Sequence, residues 1–218
     1  DHFSAMEPQK IEIGKDSGGI IQAVNRLSRG QIEILKLDAQ WHEKTLPGAW
    51  FEVKNAKTGE LFRMVTGSDG KAVSGELPAA YLGDDGRAVP YEYQVREIQA
   101  PEGFCLDHRV WKFWFNNDHT PVAVQKIKAE NEETRLWFSK SSFHTDHFVK
   151  GARLSIYNAK AENGKMQPWG EPLETWISGP EPHLVSGKLS GGRTYFLVEE
   201  EAPEGYSAAD PVMFSVSA

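Results

Sequence analysis

Tyr91 to Phe104 reads YEYQVREIQAPEGF, and Tyr195 to Tyr206 reads YFLVEEEAPEGY. Each is an alternating apolar run that ends in a glutamate and continues into Ala-Pro-Glu-Gly-aromatic. Side chains alternate between the two faces of a strand, so parity decides which residues share a face. Tyr91, Tyr93, Val95 and Glu97 share one face, opposite Glu92, Gln94 and Arg96. Glu97 is therefore expected to point into a core. In the second phrase Tyr195, Leu197 and Glu199 share a face, and Glu200 takes the other.

The duplication extends upstream. Gln31 to Ala56 reads QIEILKLDAQWHEKTLPGAWFEVKNA, and Arg135 to Ala159 reads RLWFSKSSFHTDHFVKGARLSIYNA. Both give strand, lysine, polar loop, Gly-Ala, strand, Asn-Ala. The lysine precedes the glutamate by 61 residues in the first copy and 59 in the second. A period of this order is too long for a solenoid repeat and fits tandem domains. The reading is all-β, with domains over 30–132 and 133–218 and an N-terminal segment over 1–29. Strands are expected at 31–37, 49–55, 60–66, 91–97, 109–115 and 122–130, then at 135–140, 152–158, 172–178, 194–199 and 211–216. Lys57-Thr58-Gly59, Ser68-Asp69-Gly70 and Asp84-Asp85-Gly86 mark turns.

Parity brings three polar residues onto apolar faces. Ile32, Ile34 and Lys36 share a face, and Ile127, Ala129 and Asn131 share another. Together with Glu97 they form a lysine, glutamate and asparagine trio. In the second copy Leu136, Phe138 and Lys140 match the first strand, and Glu199 matches Glu97, but no downstream asparagine follows before Ala218. Ile21, Ala23 and Asn25 carry the missing pattern upstream of the first domain. The second domain is thus expected to lack its own last strand. Either the native chain continues past Ala218, or the strand around Asn25 fills the gap in the same or a neighbouring chain.

A lone buried ammonium or carboxylate costs several kcal/mol or more. A buried salt bridge is one solution, and chemistry that removes the charge is another. Desolvation lowers a lysine pKa and raises a glutamate pKa. A neutral lysine amine is a nucleophile. A protonated glutamic acid can polarise an amide carbonyl and carry a proton to departing ammonia. Lys36 and Asn131 could then join as a neutral amide, driven by proximity in the folded core.

These motifs resemble tandem Cna protein B-type domains, also called SpaA-type or prealbumin-like domains, of Gram-positive surface proteins and pilins. The residues that carry the resemblance are Lys36 in ILKLD, Lys140 in WFSKS, the paired Gly-Ala strand starts and the two E-x-x-A-P-E-G-[FY] phrases. The resemblance implies Ig-like, prealbumin-like β-sandwiches with a self-formed isopeptide bond. Lys36, Glu97 and Asn131 fit its lysine, catalytic glutamate and asparagine. Lys140 and Glu199 fit a second site, with Asn25 as its candidate partner. The implied role is a stalk segment of an extracellular, wall-anchored adhesin or pilin-like protein, working as a single-turnover self-cross-linker with no cofactor. Neighbouring repeats or subunits would be its partners through strand complementation.

Composition narrows the alternatives. The 218 residues carry a formal charge of -7, so no basic footprint points to nucleic acid. No apolar run is long enough to span a bilayer. Cys105 is the single cysteine, which excludes an internal disulfide, and it is read as a core or strand-edge residue. Seven tryptophans could build a host glycan- or protein-binding surface, or pack in cores and loops; Trp41, Trp169 and Trp176 fall in or near expected loops. His144 and His147 in HTDH could ligate a metal with Asp146, but no further ligand at a metal-site spacing is evident. Asp84-Asp85-Gly86 lacks the ligand count of a calcium loop, so no metal site is expected.

Overall fold

The computed structural model describes residues 3–4, 26–116, 122–142 and 145–217. The strand expected over 19–25, Asn25 within it, and His144 lie outside the described residues. All the regular structure among the described residues is β-strand. Among the described residues no helix is long and apolar enough to cross a membrane. The chain forms two compact units: Asp1–Leu37, Thr45–Ile98 and His108–Ala129 make the first, and Asp38–Lys44, Gln99–Asp107 and Glu130–Ala218 make the second.

In the first unit one sheet has the order Val122–Asn131, Arg29–Asp38, Lys71–Val73, with Leu77–Pro78 also on Arg29–Asp38. The other has the order Val110–Phe113, Tyr93–Gln99, Trp50–Asn55, Leu61–Val65. Ile32, Ile34, Ile127 and Ala129 from one sheet meet Phe51, Val53, Tyr93 and Val95 from the other in a single buried cluster. This is a β-sandwich, and the alternation read from the sequence is the alternation of burial. Full burial of each large apolar side chain contributes about 1.5–3 kcal/mol. The turns form where expected. Asn55 Oδ1 accepts from Lys57 N and Thr58 N, Asp69 Oδ1 accepts from Lys71 N, and Asp85 Oδ1 accepts from Arg87 N. The last of these joins a short hairpin, Ala80–Leu82 with Ala88–Pro90, which the sequence reading missed.

In the second unit a four-stranded sheet has the order Lys165–Ile177, Arg153–Glu162, Thr194–Glu201, Val212–Ser215. Arg135–Phe138 pairs antiparallel with His183–Ser186 in a smaller sheet. Leu136 and Phe138 pack on the cluster of Leu154, Ile156, Trp176, Val185 and Tyr195. Among the described residues no strand pairs with the other edge of Arg135–Phe138.

The duplication reaches individual hydrogen bonds. Gly48 N donates to Thr66 O, and Gly151 N to Ser178 O, both at 2.9 Å. Ala49 N donates to Thr66 Oγ1 and Ala152 N to Ser178 Oγ. Lys36 O accepts from Leu46 N as Lys140 O accepts from Val149 N. The Gly-Ala pair therefore starts each second strand by locking onto a hydroxyl residue opposite it.

Trp176 lies within the expected 172–178 strand, which the structure lengthens to Lys165–Ile177, at 8% exposure, and stacks on His183 at 4.6 Å. The loop placement of Trp169 needs correction. Trp169 lies in the same strand, opposite Asn158, with its surface half exposed. The signal for this longer strand was Asn163-Gly164, both at positive φ, which makes a two-residue hairpin turn. Cys105 is exposed rather than in a core.

Each Pro-Glu-Gly-aromatic phrase closes a turn, with Phe104 N donating to Pro101 O and Tyr206 N to Pro203 O. Gly103 (φ 83°) and Gly205 (φ 86°) hold the left-handed conformation the turn needs. Their surroundings differ. A Cβ on Gly103 would overlap the backbone carbonyl of Gly187, whereas a Cβ on Gly205 would meet open space. Gly205→Ala should cost only the backbone strain, about 1–3 kcal/mol. Gly103→Ala should lower stability further in urea unfolding. Equal losses at the two positions would contradict the contact.

Candidate cross-linking site

Lys36 is carried by the Arg29–Asp38 strand and Glu97 by the Tyr93–Gln99 strand, so each comes from a different sheet. Their side chains point to one another across the sandwich. Lys36 Nζ lies 3.0 Å from Glu97 Oε1, and both side chains are 0% exposed. The ammonium also lies 5.6 Å from the centre of the Phe51 ring. Apolar residues surround the pair because Ile32, Ile34 and Val95 precede the two charges at alternate positions on the same strands. Asn131 ends the Val122–Asn131 strand, the sheet neighbour of Arg29–Asp38. It is 2% exposed, and its carbonyl accepts from Ala39 N at 2.8 Å.

Lys140 and Glu199 also come together. Lys140 Nζ lies 3.2 Å from Glu199 Oε2, with side-chain exposures of 20% and 2%. Glu199 Oε2 additionally accepts from Ala209 N at 2.6 Å, a contact no sequence pattern announced. Glu199 Oε1 is buried, with no hydrogen-bond partner among the described residues. Glu200 is exposed, and its carboxylate accepts from Tyr157 Oη. The structure thus pairs Lys36 with Glu97 and Lys140, which lies two residues past the Arg135–Phe138 strand rather than in the expected 135–140 strand, with Glu199; Asn25 lies outside the described residues.

An ammonium beside a carboxylate in a dry core can do one of two things. It can remain a salt bridge, or pass a proton and leave an amine able to attack a nearby amide. Removing one partner of such a buried pair costs about 3–5 kcal/mol, because the other charge is left alone.

Asp38 was missed as part of this region, although parity places it on the face of Ile32, Ile34 and Lys36. Its side chain is fully buried, and it organises the following loop within the second unit. Oδ1 accepts from Gln40 N at 2.8 Å and Trp41 N at 3.1 Å, and Oδ2 pairs with Lys44 Nζ at 3.1 Å. Lys44 also lies 3.5 Å from Glu133 and 5.4 Å from the centre of the Phe104 ring. Burial pushes the Asp38 carboxyl up, but the two backbone N–H groups and the Lys44 ammonium outweigh it and hold it below its ordinary value. A depressed pKa stabilises the fold fully above the unfolded value, 3.8, and the gain is lost as pH falls through the folded value. The stability gap between wild type and Asp38→Asn should therefore be constant at neutral pH and shrink below pH 3.8. Urea unfolding as a function of pH measures it, and a gap that persists undiminished into acid would contradict the assignment.

The SpaA prealbumin-like fold domain matches residues 30–130. Among solved structures, the Bacillus anthracis TIE protein is 26% identical, with a TM-score of 0.43, over 88% of this chain and 32% of that one. This chain therefore spans about a third of the length of that relative. Shaft pilin SpaA from Lactobacillus rhamnosus GG is 16% identical, with a TM-score of 0.42, over 87% of this chain and 94% of that one. A streptococcal ancillary pilin is 17% identical, with a TM-score of 0.40, over 95% of this chain and 65% of that one. No match was found among curated proteins. Residues 30–130 are thus similar to the SpaA prealbumin-like fold domain, the resemblance carried in the sequence by Lys36 and the first E-x-x-A-P-E-G phrase.

Proposed function

We propose that this chain is a structural stalk segment of a Gram-positive cell-surface adhesin or pilin-like protein, held at the bacterial wall and stiffened by an amide between Lys36 and Asn131. The observation that carries the reading is the Lys36–Glu97 pair, 3.0 Å apart and wholly buried within the domain that matches the SpaA family. In the proposed reaction Lys36 Nζ attacks Cγ of Asn131. The Cγ–Nδ2 bond breaks, and Glu97 carries the proton from the amine to the departing ammonia. The product replaces a buried ammonium and a primary amide by one neutral secondary amide. The reaction happens once per chain, so the protein is a self-cross-linker rather than a turnover enzyme.

The bond would close most of the first domain. By analogy with a disulfide spanning a loop of that size, it restricts the unfolded chain by roughly 4–5 kcal/mol. It would tie the first strand to the last strand of one sheet, so tension along the chain would run through a covalent link and bypass much of the sheet. Unlike a disulfide it resists reduction, which suits a chain with one cysteine.

A second reading has its own observation. Trp41, Trp114 and Trp137 are each more than half exposed, and Trp169 is half exposed with Lys160 Nζ 3.4 Å from the centre of its ring. Exposed rings of this kind could bind a host glycan or protein surface. Glycan-array binding lost on Trp41→Ala or Trp137→Ala would favour it.

Intact-mass measurement should find the chain lighter by one ammonia. Lys36→Arg, Glu97→Ala and Asn131→Ala should each restore the unmodified mass. Asn131→Ala keeps the Lys36–Glu97 pair, so its loss of roughly 4–5 kcal/mol isolates the cross-link. An unmodified mass for the wild type would end the cross-link proposal.

A further inference from the structure

The outward face of one first-unit sheet carries a charge opposite to that of the whole chain. Phe51 and Val53 are buried in the core, so Trp50, Glu52 and Lys54 point outward. On the next strand Trp50 faces Val65, Glu52 faces Arg63 and Lys54 faces Leu61. On the other side of the sheet Gln94 faces Lys112 and Arg96 faces Val110. Arg96 reaches across to Glu52, with Nη2 2.7 Å from Oε1. Two rows therefore cross the sheet. One is Lys112, Gln94, Lys54 and Leu61; the other is Val110, Arg96, Glu52 and Arg63. All four cations are exposed. Against them stand Glu52, already paired with Arg96, and Glu92 at the margin. The chain as a whole has a formal charge of -7.

The same face has a shape and a set of acceptors. Glu52, Lys54, Leu61, Gln94, Arg96 and Val110 line a cleft of about 370 Å³, within the range of about 300–1,000 Å³ for small-ligand sites. Gln94 Nε2 donates to Glu92 Oε1 at 2.9 Å, which leaves Gln94 Oε1 to accept. Arg96 Nε and Nη2 both donate to Glu52 Oε1, which leaves Glu52 Oε2. A ligand that suits both sets brings anionic groups for the cations and hydroxyl donors for the acceptors. A bare polyanion lacks the donors and is repelled by Glu52. A peptide strand binds by main-chain pairing at a sheet edge, and the two inner strands, Tyr93–Gln99 and Trp50–Asn55, are already flanked on both sides. Recognition on this face is by side chains alone.

We propose that this outer sheet face binds an acidic polysaccharide, a chain of sugars that carries carboxylates at intervals. Lys112 and Lys54 lie two strands apart, as do Arg96 and Arg63, roughly 10 Å in each case. Successive carboxylates pair with successive cations, and the guanidinium groups take them two-pronged. Sugar hydroxyls donate to Gln94 Oε1 and Glu52 Oε2. Trp50 and Val110, both exposed, offer apolar surface to the C–H faces of the rings. Negative charge elsewhere on the chain repels the same polymer and steers it to this face. The binding is noncovalent, and it uses neither the cross-linking residues nor Trp41, Trp137 and Trp169.

The test titrates the full chain with hyaluronate oligosaccharides, a uronate-bearing probe, by calorimetry at low salt. The expected result is saturable binding that weakens steeply as salt rises. Arg63→Glu and Lys112→Glu should each weaken it by about tenfold or more, because each turns an attraction into a repulsion. Lys126→Glu makes the same change in net charge on the outward face of the other sheet and should leave the affinity unchanged. Neutral dextran should not bind, and polyphosphate and polyglutamate should bind more weakly than hyaluronate. Thermal midpoints matching wild type show that a variant has lost binding rather than its fold. Trp41→Ala should keep hyaluronate binding, so failure of this site and failure of the exposed-tryptophan reading are separately visible. No saturable binding would overturn the proposal, as would an equal loss in Lys126→Glu or equally tight binding of polyphosphate or polyglutamate.

Discussion

The first unit is organised around two opposite charges taken out of water between its sheets. Each ion alone would lose several kcal/mol of hydration, and their attraction recovers this only if the geometry is tight. Lys36 and Glu97 meet the condition at 3.0 Å with neither side chain exposed. The cost constrains everything nearby. Lys36 must stand at the end of the inward face begun by Ile32 and Ile34, and Glu97 at the end of the one begun by Tyr93 and Val95. A slip of one residue in either strand would turn the charge to solvent and an exposed residue to the core. The charged pair therefore fixes register across the sandwich, which hydrophobic burial alone does less sharply.

The second unit repeats the local contacts of the first. The hydrogen bonds of the Gly-Ala starts and of the Pro-Glu-Gly-aromatic turns are the same in both copies. Those contacts come from segments within each copy's own repeat. Among the described residues the lysine-bearing segments differ in their pairing: Val122–Asn131 and Lys71–Val73 flank Arg29–Asp38, and His183–Ser186 pairs with Arg135–Phe138.

Most of this architecture was legible from periodicity because the strands are half-buried and alternate. Tyr93, Val95 and Glu97 read as one face and are one face. The lysine–glutamate pairings followed from the same parity, reinforced by duplication. Pieces whose determinants are not periodic were harder to read. Lys71–Val73 and Ala80–Leu82 have too few residues to show alternation. His183–Ser186 is flanked by Pro180, Pro182 and Gly187, which read as loop. The first half of the Lys165–Ile177 strand, Trp169 included, was missed because the strand contains Pro168, Gly170 and Pro172, yet it is held in a hairpin by the Asn163-Gly164 turn. Ala209 N reaches Glu199 from an irregular segment, and nothing in composition marks such a backbone donor.

The order of events follows from where the groups come from. Lys36 and Glu97 lie on different sheets, so their 3.0 Å approach exists only after the sandwich has closed. Before that they are two solvated charges, and an amine in water is protonated and unreactive. Chemistry at such a site can therefore lock a fold already reached but cannot guide the chain to it.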